Sequence, residues 1–596
     1  MIALLWGATN SPAMKTFLPL LLCLWVGCTS GPAPSPSEAE RLHALFEKEW
    51  KFSQEEFPNW TDVDAPKRFP AIAPEDYERR ADFWRSLREE LQTIDRSKLG
   101  RQDAISYDMF AFLLEDKIAG VEHEAYLRPI SADGGFHVDF VYMVGRFRFE
   151  NPKAYERYLS LLEGFRDYVE ANIQLMRLGL QKGKTLPRAV LEGYESYLDP
   201  HIVEDPESSY FYQPLKTLPS TLTPEEGAGL RARARAAIRE SVVPAYRAFR
   251  TFLQEEYRPG AAEEIGISAQ PGGAEYYAQR VHFFTTLDLS PEEIFELGQE
   301  EVRRIRAEME AVMRSTGFGG SFAEFLRFLR TDPRFYADTP EALLKEAAWL
   351  AKTIDGKLPE VFHTLPRLPY GVAPVPEAIA PKYTGGRYIP GSYAEHRAGF
   401  YWVNTYKLES RPLYVLPALT LHEAVPGHHL QISLAAELEG LPEFRKNTYL
   451  SCFGEGWALY CEWLGRELGM YQTPYQEFGR LTYEMWRACR LVVDVGIHAK
   501  GWTRREAIDF LAQNTALSLH EVQTEIDRYI GWPGQALSYK IGELKIRELR
   551  RKAEAALGAR FNLRDFHELV LQNGSIPLFV LERLVEDYIQ EELEQG

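Results

Sequence analysis

Cysteine is scarce. Of five in the 596-residue chain, two lie within the first 28 residues, and beyond Cys28 only Cys452, Cys461 and Cys489 remain. Three cysteines at these spacings form neither a disulfide framework nor a cysteine-rich zinc module. Cys452 and Cys461 read as small buried hydrophobes in an apolar helical run. Positive charge is also short: 68 Lys and Arg stand against 86 Asp and Glu, a formal net charge of -18. This argues against a nucleic-acid partner, whose phosphates need a basic surface. There is no Gly-rich phosphate loop, no short-period repeat and no strand–helix–strand rhythm. Beyond the N-terminus no segment is long and apolar enough to cross a membrane. Apolar and aromatic residues are plentiful, at 45% and 13%. A chain of this length and composition folds around a substantial core.

The N-terminus reads as a targeting segment. From Met14, the expected true start, runs "MKTFLPLLLCLWVGCTS": one positive charge, then an apolar stretch short for a permanent span. It ends at Cys28 and is followed by the Ser/Pro/Gly tether "TSGPAPSPSEAE". The segment resembles a bacterial lipoprotein signal in which Cys28 becomes the lipidated first residue. Trp25 departs from that pattern, where Leu is usual, and an ordinary secretory signal cleaved nearby is the alternative. Residues 1–36 are therefore set apart as signal and tether, which places the protein outside the cytoplasm, periplasmic or membrane-anchored by lipid alone.

The remainder reads as mainly helical. Hydroxyl residues at cap positions recur in "TPEE" (223–226), "SPEE" (290–293), "TPEA" (339–342), "TRRE" (503–506) and "SLHE" (518–521). Four of the five place Glu three residues on, the capping-box pattern. Helical periodicity follows the caps. Residues 384–415 differ, being rich in Gly, Tyr and β-formers, and "GFYWVNTY" suits a strand beside the next helix. An edge strand so placed can pair with an extended peptide. No linker divides the chain cleanly. We read 37–260 as a helical N-terminal region and 261–596 as a helical catalytic region, joined in one body.

The chemistry concentrates in "LHEAVPGHHLQ", residues 421–431. Other His-Glu pairs occur at 123–124, 520–521 and 567–568, and a lone pair of this kind is more often a surface or cap feature than catalysis. In a zinc-protease helix the second His follows the first by four residues, one turn. Here Pro426 occupies that place, and His428 and His429 come later. On a straight helix His422 and His428 would point about 120° apart, and His422 and His429 would lie about 10 Å apart along the axis. Pro426 removes a helical hydrogen bond and Gly427 frees the backbone. The expectation is a widened turn that returns His428 over His422, with His429 as the alternative ligand.

A catalytic zinc takes three protein ligands and leaves one position open. "FGEGWALYCEWLG" (453–465) offers Glu455 as the third ligand and Glu462, on the same helical face, to orient a liganding His. Glycines flanking a carboxylate cost helix stability and are expected where something approaches closely. Together, "HEAVPGHHLQ", "EGWALYCE", "DVGIHAKGW" and "WPGQALSYKIGE" resemble the bacterial family known as domain of unknown function 885, over most of the mature chain. The resemblance implies a large helical fold like that of zinc metallopeptidases of the neurolysin and angiotensin-converting-enzyme type. It marks His422, Glu423, the 428–429 pair and Glu455 as site residues. It implies no substrate.

Peptide hydrolysis also needs a base and oxyanion donors. Glu423, beside the first ligand, is the natural base. Asp494 and His498 are four apart, so the carboxylate could orient the imidazole as an oxyanion donor. Asp494 is also an alternative ligand or supporting residue for the metal. A paired core histidine is the equally weighted reading of His498. Tyr539 is a second donor candidate, weighed against simple packing. Asn404 and Arg528 are substrate-binding candidates, although a solvated helix face is the commoner role of a single Arg. The leading expectation is a Zn2+-dependent peptidase acting on short peptides. A binding lipoprotein that has lost catalysis and a zinc hydrolase of non-peptide amides or esters are the alternatives.

Overall fold

The computed structural model describes residues 36–594 except 378 and 394. Cys28 and the targeting segment lie outside the described residues. The chain is overwhelmingly helical. Thr223, Ser290 and Thr503 each cap a helix in a reciprocal box with Glu three residues on. Each such cap is worth about 1 kcal/mol. The Thr339 hydroxyl accepts the Ala342 N–H with no bond in return, because Ala342 has no polar side chain to give one. At Ser518 the expected box is half-made: the Ser518 hydroxyl accepts from the Glu521 N–H, but the Glu521 carboxylate does not return.

One hydrophobic cluster runs from Leu42 to Ile589. It crosses the 260/261 boundary: Phe46 packs on Phe444 at 4.8 Å between ring centres, and Arg445 reaches Gln102 and Ser106. No described helix is long and apolar enough to cross a membrane.

The strand expectation at 384–415 resolves into part of a small sheet. Strands β1 (Tyr370–Pro374), β2 (Gly386–Ile389) and β3 (Gly399–Val403) lie in the order β1-β3-β2. β1 runs parallel to β3, with Tyr370 opposite Gly399, and β2 runs antiparallel, with Gly386 opposite Val403. β2 is thus an edge, and it lies against the helix that carries His422 and Glu423.

Three helices, Pro291–Ser315, Pro474–Lys500 and Ser538–Leu557, share a buried ionic network. The Lys540 ammonium, fully buried, lies 2.8 Å from Glu543, 2.9 Å from Glu484 and 3.0 Å from Glu301. Arg480 completes the set through Glu484, and Arg304 through Glu301. Burial works against the Lys540 charge, but the three carboxylates outweigh it and raise its pKa.

Candidate metal centre

The helix Leu416–Glu423 stops at Glu423, and a new helix, His428–Glu437, starts after four intervening residues. This corrects the expected widened turn: the chain breaks rather than swells. Pro426 offers no N–H, and Ala424 and Gly427 take ψ values of -113° and -128°, outside both the helical and the extended regions. A side chain at Gly427 would collide with the His422 carbonyl oxygen, so only glycine fits. Three bonds close the turn: Gly427 N–H to Leu421 O, His429 N–H to Ala424 O, both 3.0 Å, and Trp457 Nε1–H to Pro426 O at 2.8 Å.

The break brings the His422 and His428 rings to 4.8 Å, edge to face. The Nε2 atoms of His422 and His428 lie 3.4 and 3.3 Å from the same Glu455 oxygen, Oε2. All three ligand atoms fall within 4.8 Å of one another. His422 and His428 are buried, and the Glu455 side chain is 15% exposed, which leaves one open approach. The donor set, two imidazoles and a carboxylate with one side open, fits a catalytic zinc.

Glu462 sets the orientation. Its Oε1 lies 2.8 Å from His422 Nδ1, which as N–H donor turns the Nε2 lone pair toward Glu455. Arg487 in turn lies 3.5 Å from that oxygen. Burial depresses the His422 pKa, but Glu455 and Glu462 outweigh it and lift it to about 9 in the metal-free protein. Burial likewise opposes charge on Glu455, but His428 and His422 hold its carboxyl well below the usual range.

The glycines around Glu455 serve close approach, as expected. A side chain at Gly454 would land on the Tyr449 hydroxyl, and one at Gly456 would meet Gly542 Cα at 2.5 Å. Tyr449 is a site residue that the sequence did not reveal. Burial, then Glu455, Tyr539 and Glu423, raise its pKa well above the usual tyrosine value. Tyr539 stands 4.1 Å beneath the Arg490 guanidinium, in the same electrostatic neighbourhood. Neither tyrosine hydroxyl has a hydrogen-bond partner among the described residues.

Glu423 stands beside the ligand set and outside it. Its Oε2 accepts the N–H of Tyr388 at 2.8 Å, from edge strand β2. The preceding residue on that strand, Arg387, is solvent-exposed. Its charge acts on Tyr383, Glu423, Tyr539 and Glu455.

Five candidates lie elsewhere. His429 turns away: its Nδ1 meets Tyr388 Oη at 2.9 Å and Ser433 Oγ at 3.2 Å, and burial drops its pKa to about 4. His498 is a core histidine. Its Nδ1 accepts from Ile267 N–H and its Nε2–H donates to Tyr529 O, so both nitrogens are spent on backbone. Asp494 does not touch it. That carboxylate accepts from Tyr277 Oη at 2.7 Å and Gly534 N–H at 3.1 Å, far from any ligand role. Asn404 is fully buried and clamps loop carbonyls of Ala380, Tyr383 and Thr384. Arg528 is paired with Glu525 and Gln535, so it is not free for a substrate carboxylate.

No curated protein matches the chain. Among solved structures, a candidate lipoprotein of Colwellia psychrerythraea shares 28% identity at a TM-score of 0.85, covering 93% of this chain and 100% of its own. A candidate lipoprotein of unknown function from Shewanella oneidensis has the same fold at 18% identity and a TM-score of 0.68, again over 93% and 100% of the two chains. A family model for bacterial proteins of unknown function, DUF885, matches residues 61–585. The chain belongs to that family.

Proposed function

We propose that the protein is a zinc-dependent hydrolase, a metallopeptidase of short peptides held outside the cytoplasm through a lipid on Cys28. The observation that carries this reading is the convergence of His422, His428 and Glu455 on one point with Glu423 beside them, unligated. A three-stranded sheet against a His-Glu helix in a helical body is also what a neurolysin-type fold would supply, and the candidate-lipoprotein neighbours favour the anchor.

His422, His428 and Glu455 would hold the zinc, which when bound supplies a Lewis acid and lowers the pKa of water. Glu423 takes the proton from the attacking water and passes it to the leaving amine. The Tyr388 N–H fixes one of its oxygens and leaves the other for this work. The hydroxyls of Tyr449 and Tyr539 donate to the oxyanion that forms as water attacks. The outer edge of β2 offers extended backbone for a peptide to pair with.

A binding protein on this scaffold would have little use for Glu423. The test is zinc-loaded protein incubated with a panel of unblocked short peptides and simple esters, read by mass spectrometry. Peptide cleavage, lost in Glu423→Gln, supports the proposal. Cleavage of esters alone would move the assignment to a non-peptide hydrolase. No turnover by folded, zinc-loaded protein would favour the binding protein.

A further inference from the structure

A separate cavity of about 320 Å³ opens one turn back along the helix that ends in His422 and Glu423. Its volume is at the small end for small-molecule sites, about 300 Å³. Leu343, Val403, Leu416, Leu419 and Leu517 give it apolar walls. Two opposite charges face it, and neither is paired. Arg411 has no side-chain hydrogen bond or ion pair among the described residues, and its Nε is buried without a partner.

Glu521 is the other charge. In the box at Thr503, the Glu506 carboxylate returns to the cap N–H at 2.7 Å. At Ser518 the equivalent carboxylate, Glu521, instead faces the cavity, with no hydrogen bond or ion pair among the described residues. Arg411 acts on it electrostatically but does not pair with it. Burial lifts the Glu521 carboxyl to about 6, which leaves it charged at neutral pH.

The other charges nearby are spent. Arg330 donates to the carbonyls of Ala512, Thr515 and Leu517. Arg487 faces Glu462, and Arg490 pairs with Glu525. Glu409 is exposed at the mouth.

Unpaired charges of both signs on an apolar cavity are costly without a complement. A zwitterion supplies both complements at once. We propose that this cavity binds an α-amino acid with an apolar side chain: Arg411 takes the carboxylate, Glu521 the ammonium, and the leucine walls the side chain. The proposal does not rest on the metal centre.

The test is calorimetric titration of the purified protein, stripped of metal by a chelator so that ligands cannot bind through zinc. The probes are leucine, leucine methyl ester and N-acetylleucine. Leucine should bind one to one. Each blocked analogue, lacking one charge, should bind at least about tenfold more weakly, the loss of one charge-assisted contact. Glu521→Gln should weaken leucine by a similar factor and leave N-acetylleucine unchanged. Arg411→Gln should weaken leucine and leave the methyl ester unchanged. Neither variant should lower the unfolding temperature of the ligand-free protein, since each removes an unpaired charge. Failure of leucine to bind at millimolar concentration, or equal binding of all three probes, would overturn the proposal. So would leucine binding that survives both substitutions.

Discussion

Two clusters of buried charge draw residues from the two helices that meet at Gly456 and Gly542, Glu455 on one and Lys540 and Glu543 on the other, and they are built on opposite principles. Around Lys540, three carboxylates surround one ammonium at 2.8 to 3.0 Å, and flanking arginines neutralise the rest. That cluster is closed, and each group is held by partners from the protein itself. Around Glu455, two imidazole nitrogens converge on one carboxylate oxygen at 3.3 and 3.4 Å, longer than the 2.8 Å bond from His422 to Glu462. That cluster is arranged around a point rather than a bond. The lesson is that burial of charge alone does not mark a site. A set of electron-pair donors aimed at one another, with a partly open side, does.

The largest effect should come from the open cluster. Replacing Glu423 by Gln keeps size and the Tyr388 hydrogen bond but removes the base. Turnover should fall by about a hundred- to ten-thousand-fold with zinc content unchanged. A parallel loss of zinc would instead make Glu423 a ligand.

Breaking the closed cluster should cost stability rather than activity per folded molecule. Lys540→Met removes the central cation and leaves Glu301, Glu484 and Glu543 buried with only the flanking arginines Arg304, Arg480 and Arg547 to neutralise them. Denaturant unfolding should show a loss of about 3–5 kcal/mol. A change below 1 kcal/mol, roughly the value of a surface pair, would show that the cluster is not closed as described.

Glu462 stands between the two designs, because it is buried like the first cluster and serves the second. Glu462→Gln should weaken zinc binding by about ten- to a hundredfold in competition with a chromophoric chelator. Unchanged affinity would remove Glu462 from the orientation of His422.

The smallest effect concerns a buried carboxylate that belongs to neither cluster. Burial raises the Asp494 carboxyl to about 7 in the folded protein. A raised acid favours the protonated folded form. Its contribution to stability is therefore present below about pH 4 and is lost as pH rises to about 7. Asp494→Asn can still accept from Tyr277 and Gly534. Above pH 7 it should be more stable than wild type, with the difference shrinking toward pH 4. Parallel pH profiles for the two proteins would contradict this.

The comparison also explains what could be read from the sequence. His422, Glu423, Glu455 and Glu462 were legible because helical spacing places their side chains and because Pro426-Gly427 announces a break. The sequence does not separate a widened turn from a break, since spacing cannot say whether a helix bends or restarts. Asp494 and His498 show the limit of the same reasoning: a four-residue spacing is shared by catalytic pairs and by core residues. There the packing of Tyr277, Ile267 and Tyr529 decided the roles. Tyr449, Arg387 and the Tyr388 N–H were not legible. They arrive from a loop and an edge strand whose positions depend on tertiary packing. The flanking glycines at 454 and 456 were the one trace of Tyr449 in the sequence, as room kept for an unnamed neighbour. Asn404 and Arg528 read as substrate-binding candidates in sequence, and only their partners show Asn404 clamping a loop and Arg528 paired with Glu525 and Gln535.

The most direct test of the central claim is elemental analysis of zinc in the purified protein beside Glu455→Gln. The account predicts about one zinc per wild-type chain and a marked loss in the variant, with both proteins folded. Folded wild-type protein that takes up no zinc, or a variant that keeps it in full, would contradict the claim that these three side chains form a metal centre.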